Sequence, residues 1–156
     1  MSKIKKILAP TDFSELSKLG LRYALELARD SGAEVIVYHV VDFGDMWKKR
    51  RSDTGPYRNM LEHRQRTLDN FLAENFADRI DLVEVRQSVE FGMPVDSIVE
   101  KATNEGVDLI VMSTHGRTGL EHMILGSVTE KVVARASCPV LVVPHRRPAA
   151  VGAKAA

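Results

Sequence analysis

The stretch Ser113 to Lys131, STHGRTGLEHMILGSVTEK, holds the residue types best suited to grip an anion. Gly116, Gly119 and Gly126 permit tight turns and close backbone approach. A helix starting near Ser127 would present unpaired N–H groups and the positive end of its dipole. Ser127 and Thr129 add hydroxyl donors, and Arg117 adds a cationic fork that matches phosphate geometry. The same residues also suit a plain structural role, because Ser127-Val128-Thr129-Glu130 has the form of a capping box and three glycines can simply shape a long loop. Local chemistry leaves both open. A second polar loop, Pro10-Thr11-Asp12-Phe13-Ser14, offers an acceptor-only carboxylate suited to sugar hydroxyls, with Thr11 as a small polar neighbour. Here too Asp12 or Ser14 can instead cap the following helix. Val40 and Val41 can form an apolar wall for an adenine ring or serve as ordinary core valines.

Position decides what local chemistry does not. Ile4 to Ala9 (closed by Pro10), Val35 to Val41, Val107 to Met112 and Val140 to Val143 are nearly continuous apolar runs, the pattern of strands buried on both faces of a parallel sheet. Leu82, Val83, Val85 and Val89 alternate more loosely, as an edge strand does. Leu16, Leu19, Tyr23, Ala24, Leu27 and Ala28 predict a first helix, with Ser14 as N-cap and Gly32 as stop. Met60, Leu61, Leu68, Phe71 and Leu72 predict a second. Val95, Ile98, Val99 and Ala102 predict a third, opened near Pro94 and ended by Gly106. Val128, Val132, Val133 and Ala136 predict a fourth.

Strict strand–helix alternation with right-handed crossovers predicts one α/β domain over residues 1–145. Its architecture is a single doubly wound, Rossmann-like five-stranded parallel sheet of order 3-2-1-4-5, with helices on both faces. The chain reverses direction between strands 1 and 4, and ligands of such sheets bind beyond the carboxyl ends of the strands at that switch point. The loops Pro10 to Ser14 and Ser113 to Ser127 meet there, which favours the ligand reading of both.

Composition narrows the partners. The 156 residues fit one domain at roughly 100–200 residues per domain. Lys plus Arg number 22 against 21 Asp plus Glu, a net charge of +1, so no global footprint for nucleic acid or an anionic membrane exists. The apolar stretch in MSKIKKILAP is too short for a signal-peptide core, and no run of about 18 apolar residues spans a bilayer. A cytoplasmic location is expected, and the single Cys138 suits a reducing compartment. Asp42 to Arg58, with Lys48-Lys49-Arg50-Arg51, reads as a solvated surface loop, and residues 146–156 as a disordered tail.

The whole arrangement resembles the universal stress protein family from Ile4 to Pro144. The resemblance is carried by KILAPTDFS, HVVD around Val40, Gly92-Met93-Pro94, GVDLIVMSTHG and GSVTEKVVARASCPVLVV. It implies the 3-2-1-4-5 sheet, a dimer and, in one branch, binding of ATP with a divalent metal. That branch carries Gly-x-x-Gly, nine residues, then Gly followed by Ser or Thr. Here Gly116, the nine residues Arg117 to Leu125, and Gly126-Ser127 keep the spacing. Ser113 stands where the motif has its first glycine. Were that position at positive φ, a serine would cost about 1 kcal/mol and crowd the ligand, and Ser113→Gly would tighten binding. Carried over by position, Asp12 faces the ribose and Val40 the adenine, with Pro10, Thr11 and Met112 at that end. Ser113, Gly116, Arg117, Gly126, Ser127, Val128 and Thr129 surround the phosphates, and magnesium arrives with the nucleotide. No general base is implied. The alternatives are a dimeric interaction module that binds no nucleotide and a slow ATP hydrolase relying on metal and positioning.

Other readings fall away. No Gly-x-x-x-x-Gly-Lys-Ser/Thr occurs and no Gly-x-Gly-x-x-Gly follows strand 1. Strand 3 ends Glu90-Phe91-Gly92, without the aspartate a response regulator phosphorylates, and strand 1 ends Pro-Thr-Asp where an ATP pyrophosphatase has Ser-Gly-Gly. His39, His63, His115, His122 and His145 lack metal-ligand spacing. Cys138 reads as a packing residue. Strand 5, Val140 to Val143, is apolar yet lies at a sheet edge, which predicts a homodimer joined there.

Overall fold

The computed structural model describes residues 2–44, 57–114 and 125–145. Strands β1 (Lys6–Pro10), β2 (Glu34–Asp42), β3 (Val85–Gly92), β4 (Leu109–Ser113) and β5 (Val140–Val143) alternate with helices α1 (Ser17–Ser31), α2 (Tyr57–Ile80), α3 (Pro94–Asn104) and α4 (Ser127–Arg135). All pairings are parallel and the sheet order is β3-β2-β1-β4-β5. The expected fold is therefore the observed one. β3 and β5 are its edges, and strand 3 starts and ends about three residues later than its apolar residues suggest, at Val85 and Gly92.

Each central strand sends alternate side chains to opposite faces, as the pleat requires. Ile7, Ala9, Val35, Val37, Leu109 and Val111 face α1 and α2, packing on Leu21, Leu25, Leu68 and Phe76. Leu8, Ile36, Tyr38, Ile110 and Met112 face α3 and α4, packing on Ile98, Ala102 and Val132. Both faces of β1, β2 and β4 are thus covered, which is why their sequences read as unbroken apolar runs.

Helix ends follow local rules in part. Gly32 ends α1 at φ +72°, and Gly106 follows α3 at φ +60°, a region that penalises side chains with a Cβ. Pro94 opens α3. At α4 the cap is Gly126, and no side-chain cap bond forms, so the capping box expected of Ser127 and Glu130 is absent. The Thr129 hydroxyl instead donates to the Ser113 carbonyl at 2.9 Å, tying the first turn of the helix to β4. Ser14 Oγ accepts the Ser17 N–H at 3.1 Å, a cap-like bond, although the regular helix begins after Leu16.

The phase of α1 also differs from its leucine pattern. Its buried face is Ser17, Gly20, Leu21, Ala24, Leu25 and Ala28, while Tyr23 is 45% exposed. The helix lies so close to β4 that only small residues fit at the contact. A Cβ built on Gly20 would lie 2.9 Å from the Ser113 backbone nitrogen and 3.0 Å from the Met112 carbonyl carbon. α2 departs from helical geometry at the fully buried Phe76, whose ring packs 6.0 Å from Phe71.

Candidate functional site at the switch point

Beyond the carboxyl ends of β1 and β4 opens a cleft of about 350 Å³. That lies within the ~300–1,000 Å³ typical of small-molecule sites. The β1 side contributes Pro10, Thr11 and Asp12, and the β4 side contributes Met112 and Ser113. Val40 stands on β2, and Gly126, Ser127, Val128 and Thr129 form the start of α4. Every residue assigned to the site by the family motif and lying within the described range lines this one cleft, whereas Val41, offered with Val40 as a wall for the base, is a buried core residue. Gly116 and Arg117, like His115 and most of the surrounding loop, lie outside the described residues.

The β1 loop is held by a closed set of hydrogen bonds. The Thr11 N–H donates to the Tyr38 carbonyl at 2.8 Å, extending the β1–β2 pairing by one residue. Ser17 Oγ donates to the Ser14 carbonyl at 2.8 Å, so at the 2.9 Å contact between Thr11 Oγ1 and Ser17 Oγ the threonine supplies the proton. Thr11 Oγ1 then accepts the Phe13 N–H at 3.1 Å. Asp12 Oδ1 accepts the Ser14 N–H at 3.0 Å, an Asx turn ahead of α1, so Asp12 does not cap the helix while it lines the cleft.

His39, 2% exposed, places Nδ1 at 2.8 Å from the Thr11 carbonyl. A carbonyl only accepts, so Nδ1 carries the proton. The imidazole also stacks on Phe13, with ring centroids 4.1 Å apart. Phe13 is the sole non-glycine residue at positive φ among those described, at 65°. Its ring meets Phe71 edge-on at 5.6 Å, and these two contacts hold the strained turn that places Asp12.

On the phosphate-suited side, the Gly126 N–H donates to the Thr114 carbonyl, and the first intrahelical bond runs from the Glu130 N–H to the Gly126 carbonyl at 2.9 Å. The N–H groups of the first turn therefore have no acceptor within the helix. Ser127 is exposed and Thr129 is buried at the cleft. Ser113 does not sit at positive φ. The strain expected of a serine at this motif position is absent, because the residue ends a regular strand and its hydroxyl turns away toward α1.

Sequence reasoning missed several lining residues: Ser17, Tyr38, His39, Asp42, Pro94 and Ile98. Asp42 and His39 were findable, since β2 ends on the same rim as β1. Ser17 and Ile98 became site residues only through helix placement. Burial pushes the Tyr38 phenol above its usual range, and its 2.7 Å bond to Glu90 adds to the shift, so the ring stays neutral and donates. Among the described residues no group of three or more His, Cys, Asp or Glu side chains is placed to hold a metal ion. No helix there is long and apolar enough to cross a membrane.

Fold and cleft together define a doubly wound α/β protein with a ligand-sized opening at its topological switch point. The chain belongs to the universal stress protein family, whose model matches residues 3–144. It is 33% identical over 155 residues to universal stress protein MJ0577 of Methanocaldococcus jannaschii, covering 91% of this chain and 96% of that one. The solved structure of MJ0577 superposes with a TM-score of 0.79, covering 94% of this chain and 100% of that chain. Universal stress protein MJ0531 of the same organism is 37% identical over 143 residues, covering 89% of this chain and 81% of that one. A universal stress protein solved in complex with cAMP shares the fold at 23% identity, TM-score 0.65, over 92% of this chain and 98% of that chain.

Proposed function

We propose that this universal stress protein binds an adenine nucleotide, ATP with its magnesium ion, at the switch-point cleft and acts as a cytoplasmic homodimeric stress-response regulator. The observation that carries this reading is the convergence of Asp12 and the N-terminus of α4 in one cleft. Asp12 accepts from the ribose hydroxyls. Val40, with Pro10, Thr11 and Met112 beside it, walls the base. Ser127, Val128 and Thr129 offer N–H groups and the helix dipole to the phosphates, and Gly126 lets them approach. Ser113, Gly116 and Arg117 are assigned to the phosphate side, the last two by motif spacing alone.

The residues present fit the metal as a passenger of the nucleotide: the Ser127 hydroxyl and the α4 backbone N–H groups serve phosphate oxygens, and the cleft carries the carboxylates of Asp12 and Asp42. When bound, magnesium would neutralise phosphate charge. For the dimer, the support is chemical. β3 carries Arg86 and Glu90 along its edge, whereas β5 is Val-Leu-Val-Val, partly exposed and uncharged. Charges discourage edge pairing and their lack permits it.

Calorimetry with ATP and magnesium tests the reading, with Gly126→Val as its control. The wild type should bind, and the variant should keep its melting temperature within a few degrees while losing at least about 100-fold in affinity, because the valine fills the backbone approach to phosphate. No binding by the wild type would end the nucleotide reading and leave a non-nucleotide dimeric module, and equal affinity of the two proteins would take the phosphates away from Gly126. Light scattering of a monomer at micromolar concentration would remove the β5 dimer.

A further inference from the structure

β4 sends Leu109 and Val111 toward α1, and the period of two carries Ser113 the same way. Ser113 is 8% exposed. Its Oγ donates to the Leu16 carbonyl at 2.5 Å and accepts the Gly20 N–H at 3.0 Å. Leu16 C=O and Gly20 N–H are the two partners of an ordinary i to i+4 helical bond, so the serine hydroxyl is spliced into the first rung of α1. Such a splice requires the strand to come very near the helix, and the missing Cβ of Gly20 is what admits it.

The main chain of the same residue reaches the other side of the cleft. The Ser113 carbonyl accepts the Thr129 hydroxyl, and the next carbonyl, that of Thr114, accepts the Gly126 N–H. The first turn of α1 holds Ser17, which bonds Thr11 and Ser14 in the loop that carries Asp12. A path of hydrogen bonds joined by short covalent stretches thus runs from the Asp12 loop through Ser17, the first turn of α1 and Ser113 to the start of α4.

We infer that Ser113 is a positioning residue that fixes the span between the Asp12 loop and the N-terminus of α4, with its hydroxyl acting on α1 and its carbonyl on α4. As applied to nucleotide affinity this rests on the reading of the cleft given above. The inference reverses the sign expected from the motif: the serine is a brace for the site and not an intruder in it, so Ser113→Gly loosens binding.

The test uses the full chain as wild type, Ser113→Ala, Ser113→Gly and Ser113→Thr, with two readouts taken well below each melting temperature. Calorimetry with ATP and magnesium should give a loss of about threefold to tenfold for Ala and Gly, with Thr restoring most of it by returning the hydroxyl. Tighter binding by Gly, or affinity unchanged in Ala, overturns the inference. Amide exchange of the ligand-free proteins is the second readout. The Phe13, Ser14 and Gly126 amides should exchange about fivefold faster in Ala than in wild type and return toward wild type in Thr. Unchanged exchange at these sites overturns the inference. Should the wild type bind no ATP, the nucleotide reading falls alone, and the exchange pattern still decides whether Ser113 braces the two sides.

Discussion

The two ends of the sheet are built from different chemistry. At the amino ends of the strands, long charged side chains close on one another. Arg86 reaches Glu34 at 2.8 Å and grips both oxygens of Glu105, at 3.1 and 2.8 Å. Lys6 Nζ donates to the Glu105 carbonyl at 3.0 Å, and Asp108 accepts the Lys5 and Lys6 N–H groups at 2.8 and 3.0 Å. At the carboxyl ends short groups do this: the hydroxyls of Thr11, Ser17, Ser113 and Thr129 bind backbone or one another, and Asp12 and His39 bind backbone. Long flexible ions fill the space between strand ends. Short groups hold the backbone apart and leave volume, and that is the end with the cleft.

The sharpest way to break this contrast is at the closest approach on the open end. Helix propensity alone makes Gly→Ala inside a helix a gain of up to about 1 kcal/mol. Gly20→Ala should do the opposite and destabilise by about 1–3 kcal/mol, since the new methyl meets the backbone of Met112 and Ser113. Chemical denaturation checks the sign. Because the nearest atoms are backbone, combining it with Ser113→Gly should not restore stability. A stabilised Gly20→Ala protein would mean that α1 can retreat from β4.

At the closed end the expected effect is smaller and confined to stability. Asp108→Ala removes the acceptor for two backbone N–H groups at a partly solvated site, for about 1 kcal/mol by the same denaturation assay. Its affinity for ATP with magnesium should match wild type, because the substitution lies at the opposite end of the strands from Asp12. A change in affinity would show that the two ends are not independent.

How far the sequence foretold this molecule differs along the same axis. The sheet order and the cleft were legible because β1, β2 and β4 are buried on both faces and the switch-point rule depends on topology alone. The direction of Ser113 was legible too, through its parity with Leu109 and Val111, but the motif comparison drew attention to its backbone. The positive φ of Phe13 had no residue-type signal, since it is imposed by the rings of His39 and Phe71 from elsewhere in the chain. The phase of α1 followed the tight contact with β4, where Gly20 fits and leucine does not. The capping box is absent because the helix is capped one residue earlier, by Gly126, which has no side chain to accept a first-turn N–H.

The smallest effect concerns pH at the closed end. The paired Arg86 bonds hold the Glu105 carboxyl below its usual range. A carboxyl lowered by folding adds stability above its unfolded value, about 4.3 for glutamate, and loses it as pH falls through the folded value. Arg86→Gln should therefore destabilise at pH 7, and the deficit relative to wild type should begin to shrink below about 4.3 and go on shrinking as pH falls through the lowered folded value of Glu105. Urea midpoints at pH 7 and pH 3 measure this difference. A deficit that stays constant across that range would assign Arg86 a packing role along β3, with its charge irrelevant to the closed end.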